Sequence, residues 1–278
     1  MIKQTEYDKK TLKEINIWKT PKEKNFLQKS FSLVTTPINK AAEVVIDSPY
    51  LGDVITKSIS GLTTICNESA QTTVRPQAIF DDISRRSSVP VRKLNDIEKI
   101  DLATLDKSSS GLRTKYIAIA TTEGAGTGAV GLPGMIVDIP SLILINFRAI
   151  GEYATYYGFD IELQEEKIFI LNILSLASAP TDQAKHVAMA QLAKIATQVA
   201  KKQSWQELEK LFFVNMIKKI AEALGIRLTK AKLAQAVPLL GAFVGAGFNA
   251  YYTEKVCDAA YYLYRERFLA RKYDLEIK

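Results

Sequence analysis

The 278-residue sequence has few of the side chains from which metal sites and hydrolytic triads are built, with one histidine and two cysteines. Cys66 and Cys257 show neither CxxC nor Cys/His spacing, so we expect the reduced, buried thiols of a cytosolic protein and no structural zinc. His186 stands alone and no GxSxG element is present, which argues against a hydrolytic triad. The sequence therefore predicts no metal and no cofactor.

An apolar leader and an extreme composition are also missing. The first residues, MIKQTEYDKKTLKEINIWK, contain no apolar run of signal-peptide length, so we expect the protein to remain in the cytoplasm. Hydrophobic residues make up 47% and charged residues 24% of the chain. This is the composition of a globular protein rather than that of a disordered or polytopic membrane protein.

The modest net charge of +7 comes partly from a lysine-rich start. No nucleic-acid-binding motif accompanies it, so no nucleic-acid partner is expected. Lysines beside an anionic membrane gain roughly 1 kcal/mol each, which makes a peripheral membrane contact one interpretation; a solvated charged helix is the other. The lysines are Lys3, Lys9, Lys10, Lys13, Lys19, Lys22, Lys24 and Lys29.

Helical spacing of apolar residues dominates the chain, and no alternating run of strand length competes with it. The sequence therefore predicts an all-α multi-helix bundle. Composition divides it into an N-terminal helical segment (1–66), a polar linker or exposed excursion (67–93) and a helical domain (94–278). That domain is predicted to open with one amphipathic helix ending at Ser108 to Gly111. Its apolar positions are Leu94, Ile97, Ile100, Leu102 and Leu105.

Glycines recur four residues apart in two apolar segments, at Gly124 and Gly128 and at Gly241 and Gly245. This spacing lets helices approach closely, so we expect two close-packed Gly/Ala-rich apolar helices at the centre of the bundle. A nucleotide-binding loop is not expected, because no GxxxxGK[ST] is present and the context is helical. The uncharged segment Leu233 to Thr253 could dock on a bilayer as part of a helical hairpin, with burial in the core as the alternative.

One stretch, Glu123 to Asp160, carries the candidate site. Asp138 is its only charged residue between Gly124 and Phe147, and a helix through it would place Arg148 and Glu152 on the same face. Such a polar stripe could bind a ligand. Alternatively, Asp138 caps a helix ahead of Pro140, and Arg148 and Glu152 form a surface pair. The candidate ligand-binding residues are Glu123, Asp138, Arg148, Glu152 and Asn249.

Two motifs in this order resemble those of the EcsC family. The sequence EGAGTGAVGLPGMIVDIPSLILINFRAIGEYATYYGFD matches a Gly-rich segment followed by D-x-P, Arg-x-Ile and Y-G-x-D. The sequence VPLLGAFVGAGFNAYYTEKVCDAAYYLYRERFLARKY matches the second stretch of that family through Asn249 and a Tyr-Arg-x-Arg end at Tyr264, Arg265 and Arg267. The resemblance covers Leu94 to the C-terminus.

The resemblance implies a helical accessory protein that is cytoplasmic or peripheral to a membrane, because the namesake of the family is encoded beside an ATP-driven transporter linked to secretion. It implies no residue roles. We therefore expect a non-enzymatic protein whose partner is a membrane surface or a membrane transport complex. The alternatives are an enzyme or small-ligand binder that uses Asp138, Arg148 and Glu152, and a pore former built on the apolar segments.

Overall fold

A computed structural model describes residues 3–20, 74–128, 132–178 and 241–277. Every regular element in these ranges is an α-helix, which confirms the all-α prediction. The sequence also predicts helices between residues 22 and 65 and between 181 and 238, and these predictions lie outside the described residues. The described helices are α1 (Glu6–Lys19), α2 (Pro76–Ser87), α3 (Leu94–Ile97), α4 (Leu102–Ser109), α5 (Leu112–Gly128), α6 (Leu132–Tyr156), α7 (Gln164–Ser178) and α8 (Gly241–Tyr273).

A capping box sets the start of α1. The Thr5 hydroxyl accepts a hydrogen bond from Asp8 N at 3.1 Å, and Asp8 Oδ2 accepts one from Thr5 N at 3.2 Å. These bonds satisfy two amide groups that have no partner inside the helix. Asp8, Thr11 and Ile15 recur at three- and four-residue spacing and are buried. One face of α1 therefore packs against α4 and α8, and the opposite face points outward.

The sequence predicts a single helix that starts at Leu94 and ends at Ser108 to Gly111. This prediction is wrong, because the chain forms two short helices there, α3 and α4. Asp101 has extended backbone angles, φ −71° and ψ 149°, and its carboxylate accepts a hydrogen bond from Thr104 N at 2.9 Å. An N-cap of this kind starts a new helix, so the preceding one cannot continue through it. The apolar residues buried around the break are Ile97, Ile100, Leu102 and Leu105.

Three long helices, α5, α6 and α8, form the centre of the bundle. α8 packs against both α5 and α6, and its packing against α5 is the most extensive in the described part of the chain. The ring of Tyr153 lies 6.2 Å from that of Tyr261, and the ring of Tyr157 lies 6.5 Å from that of Phe268. The partner on α8 has a higher number in the second contact than in the first, as does the residue at the end of α6. The two helices therefore run parallel.

α6 runs without interruption from Leu132 through Asp138 to Tyr156. Asp138 is six residues inside the helix, so the interpretation of Asp138 as an N-cap is wrong. The helix can start upstream because Pro133 occupies its first turn, where a missing N–H is tolerated. The side chain of Asp138 lies outside the described part of the structure, and its place beside Arg148 and Glu152 stays a prediction.

Helices α1 and α2 pack on the helices that follow them. α2 buries Ile79, Phe80 and Ile83 and contacts α4 and α6, and α1 contacts α4 and α8. The predicted division into segments 1–66, 67–93 and 94–278 stays a prediction. Within the described ranges, no helix is both long enough and apolar enough to cross a membrane.

A left-handed glycine ends α6. Gly158 has φ +77°, and a Cβ added there would lie 3.0 Å from Arg271 Nη2 and 3.3 Å from Ile97. We expect Gly158→Ala to lower the free energy of unfolding by about 1 to 3 kcal/mol, measured by urea denaturation. Gly111→Ala is the control, since nothing lies within 4 Å of its added Cβ. Equal effects of the two substitutions would contradict this prediction.

Candidate functional site

Of the five predicted site residues, the structure brings Arg148 and Glu152 together. Arg148 Nε lies 3.4 Å from Glu152 Oε1, one turn away on α6. Glu123 is partly exposed on α5, and Asn249 is buried on α8. Asp138 lies on α6 by its backbone. The ion pair of Arg148 with Glu152 is therefore the part of the predicted site that the described contacts establish.

Lys115 of α5 joins this pair. Its Nζ lies 2.7 Å from Glu152 Oε2 and 3.0 Å from Oε1, and the Glu152 side chain is buried. Beside them, burial raises the pKa of Tyr116 above its ordinary value, and the charge of Glu152 raises it further. Lys115 thus ties α5 to α6 through a buried carboxylate that also pairs with Arg148, and the two cations exceed its single negative charge. Sequence reasoning missed Lys115 because it stands 37 residues from Glu152, with no local spacing that links them.

A second ion pair, between Asp106 and Arg265, lies where α1, α4, α8 and the end of α6 meet. Arg265 Nη2 lies 2.8 Å from Asp106 Oδ2, and both residues are buried. The hydroxyls of Tyr7 and Tyr157 each donate a hydrogen bond to the same carboxylate at 2.7 Å, and Arg265 Nη2 donates one to Thr11 Oγ1 at 3.0 Å. A buried charge is tolerated when it is paired and hydrogen-bonded in this way.

Burial and the Asp106 carboxylate shift the pKa values of Tyr7 and Arg265, the two groups beside this carboxylate. Burial raises the pKa of Tyr7 to about 12, and the hydrogen bond to Asp106 contributes to the shift. Burial alone would lower the pKa of Arg265, but the carboxylate outweighs it and the pKa rises above its ordinary value. Both groups stay protonated near neutral pH. They are therefore poorly suited to general acid–base catalysis, which needs a pKa near the working pH.

A third ion pair joins α7 to α8. Arg267 Nη1 and Nη2 donate to the two oxygens of Glu166 at 2.6 and 2.9 Å, the bidentate arrangement that a planar guanidinium allows. The Tyr264 hydroxyl donates to Glu166 Oε1 at 2.6 Å. The guanidinium carbon lies 4.0 Å from the ring centre of Phe159 and 4.1 Å from that of Phe169, so cation–π contacts add to the ion pair.

Most of the sequence, from within α1 to within α8, matches one protein-family model. The model of the EcsC protein family aligns with residues 9–269. This chain belongs to the EcsC family. The match begins well before Leu94, where the resemblance of the motifs begins, so it includes most of α1 and all of α2.

Two EcsC-like relatives from Bacillus subtilis (strain 168) give the extent of the similarity. Uncharacterized protein YdbA is 28% identical over 184 residues, which cover 63% of this chain and 61% of YdbA. Protein EcsC is 31% identical over 90 residues, which cover 32% of this chain and 38% of EcsC. The chain thus aligns with less than two thirds of either relative. No solved structure matches the chain.

The two EcsC-family motifs meet in the folded chain. Arg271 donates hydrogen bonds to the carbonyl oxygens of Gly158 at 3.0 Å and Tyr157 at 3.1 Å, which belong to the Y-G-x-D turn. Arg265 and Arg267 belong to the second motif, and they are the cations of the second and third ion pairs. These motif residues therefore hold the helices of this EcsC-family chain together. In the described ranges, no group of three or more His, Cys, Asp or Glu side chains is arranged to hold a metal ion.

Proposed function

We propose that this EcsC-family protein is a non-enzymatic accessory protein that binds an anionic membrane surface through the outward face of α1. We propose further that it acts beside a membrane transport or secretion complex. The membrane contact is peripheral, and its partners are lipid head groups on the cytoplasmic side.

The outward face of α1 carries this proposal. Lys9, Lys10 and Lys13 are exposed there together with Ile17, which is 61% exposed. At 100° per residue these four positions fall within about a third of the helix circumference, and we call them the lysine face. Glu6 also lies on this side and pairs with Lys9. The charge of the lysine face is positive even when Glu6 is included.

The inner face of α1 fixes the direction in which the lysine face points. The Tyr273 hydroxyl donates to Asp8 Oδ2 at 2.6 Å, and Lys19 Nζ lies 2.5 Å from Glu266 Oε1. The Lys19 side chain is only 17% exposed, so it belongs to the packing against α8 and not to the lysine face. α1 is therefore held with its lysine face toward solvent.

The expected strength of membrane binding follows from the number of lysines. Three lysines near an anionic surface supply about 3 kcal/mol, or about two orders of magnitude in affinity. Ile17 adds apolar contact with the boundary of the acyl chains. Because the contribution is mainly electrostatic, binding should weaken as the salt concentration rises.

The pairing of the buried charges favours a non-enzymatic role. Each of Asp106, Glu152 and Glu166 forms an ion pair with a cation from another helix. A general acid or base must instead reach a substrate atom directly or through one water. These three carboxylates hold helices together, which supports a binding role on the surface of the molecule.

Vesicle flotation of the full-length protein tests this function. The protein should float with vesicles of phosphatidylglycerol and phosphatidylcholine, and not with phosphatidylcholine alone. Lys10→Glu/Lys13→Glu should lower the apparent affinity by about two orders of magnitude or more, because two attractive charges become repulsive.

The matched control is Lys93→Glu/Lys99→Glu, which makes the same charge change at exposed lysines around α3. It should float like the wild type, because these two lysines do not belong to the lysine face of α1. A wild type that does not float, or equal losses in the two double variants, would refute the role of the lysine face.

A further inference from the structure

Two half-exposed cations meet at one carboxylate oxygen between α5 and α6. Lys115 Nζ lies 3.0 Å and Arg148 Nε 3.4 Å from Glu152 Oε1, so the two nitrogens are at most 6.4 Å apart, the sum of these distances. The Lys115 side chain is 43% exposed and that of Arg148 is 42% exposed, whereas that of Glu152 is 8% exposed. The carboxylate therefore faces inward while the cations reach solvent.

Both cations have donors left for a second acceptor. An ammonium has three N–H donors and a guanidinium has five. Within the described part of the chain, Lys115 donates to both oxygens of Glu152. Arg148 Nε is buried and makes no hydrogen bond there, its contact with Glu152 being an ion pair, so the Nη donors of this half-exposed side chain are the ones that a second acceptor can reach. Two cations against one acid also leave an excess of positive charge here.

We propose that Lys115 and Arg148 form a binding site for a phosphate group. A phosphate carries several acceptor oxygens, so one can accept from the guanidinium while another accepts from the ammonium. Glu152 acts as a built-in competitor, because its carboxylate holds the same two cations from the inner side. The phosphate can be free or part of a phospholipid head group, since both present the same oxygens. The site lies on α5 and α6 and does not depend on the lysine face of α1.

Titration of the full-length protein with inorganic phosphate, followed by NMR chemical shifts, measures this binding. Arg148→Gln and Lys115→Gln should each weaken it about tenfold, the loss expected for one charge-assisted hydrogen bond. Arg113→Gln is the control on α5: Arg113 is also half-exposed, but it pairs with both Glu254 and Asp258. Its phosphate affinity should equal that of the wild type, and thermal melts establish that each variant is folded.

Glu152→Gln separates a binding site from a merely structural cluster. It removes the competing charge and keeps the size of the side chain, so phosphate should bind about tenfold more tightly. If the cluster only ties α5 to α6, the same variant loses stability and gains no affinity. Wild-type protein without phosphate binding, or variants of Arg148 and Lys115 that bind like the Arg113 control, would overturn the proposal.

Vesicles containing phosphatidic acid identify the source of the phosphate. In the Lys10→Glu/Lys13→Glu background, residual vesicle binding that inorganic phosphate displaces assigns the site to a lipid head group. Phosphate binding without any vesicle binding in that background assigns it to a free phosphate. Both outcomes support the site. Neither requires the lysine face to bind lipid, so this site and the proposed function can fail separately.

Discussion

Arg265→Met should lower the free energy of unfolding by about 3 to 5 kcal/mol, the loss expected when one partner of a buried ion pair is removed. The substitution leaves the Asp106 carboxylate buried, with two tyrosine hydroxyls but no cation. It also removes the hydrogen bond to Thr11 that helps to hold α1 on α8. Urea denaturation followed by circular dichroism at neutral pH measures the loss.

Two further variants show whether the loss comes from the unpaired charge. Arg113→Met removes a half-exposed arginine from two ion pairs and should cost less than about 1 kcal/mol. Arg265→Met/Asp106→Leu removes both buried charges, and should recover a large part of the stability lost in the single variant. A single variant no less stable than Arg113→Met would show that the second ion pair does not support the fold.

Arg267→Met should also lower the free energy of unfolding by about 3 to 5 kcal/mol, for two reasons that can be separated. The substitution leaves Glu166 buried without its bidentate partner, and it removes a guanidinium that lies between Phe159 and Phe169. Arg267→Lys keeps the charge but loses the planar fork, so its loss should fall between wild type and Arg267→Met.

A double variant identifies the electrostatic part of the Arg267→Met loss. Glu166→Gln/Arg267→Met leaves no unpaired charge between α7 and α8 and keeps the size of side chain 166, so it should recover the part of the lost stability that comes from the buried carboxylate. Urea denaturation of the single and double variants measures this recovery. A double variant no more stable than Arg267→Met would mean that the lost packing against the two phenylalanines accounts for the whole effect.

The fold class follows from short-range patterns, and the exceptions have local causes. Apolar residues at helical spacing predict α1 and α8 because each face is set by neighbours three and four residues apart, whereas α2 lies in the stretch interpreted as a polar linker or exposed excursion. The break before Leu102 could not be predicted from the same spacing, because Asp101 interrupts the backbone while the apolar positions on both sides stay buried. A capping side chain outweighs a continuous apolar pattern there.

The candidate site was predicted in part, because only part of it is local. Arg148 and Glu152 lie one turn apart, so helical spacing alone pairs them. Lys115, their third member, comes from another helix, and Asp106 is separated from Arg265 by 159 positions. Such pairs depend on how helices pack, which a spacing within one helix does not encode. The sequence shows that Arg265 and Arg267 belong to a family motif, but it does not show which buried carboxylates they contact.

A map of lysine reactivity in the full-length protein, with and without anionic vesicles, tests directly whether α1 lies against the membrane. Lysines are acylated and the modified sites are quantified by mass spectrometry. Vesicles should protect Lys9, Lys10 and Lys13, which form the lysine face, and leave Lys93 and Lys99 as reactive as before. Protection of all five lysines to the same degree, or of none, would contradict the claim that α1 presents this EcsC-family protein to a membrane.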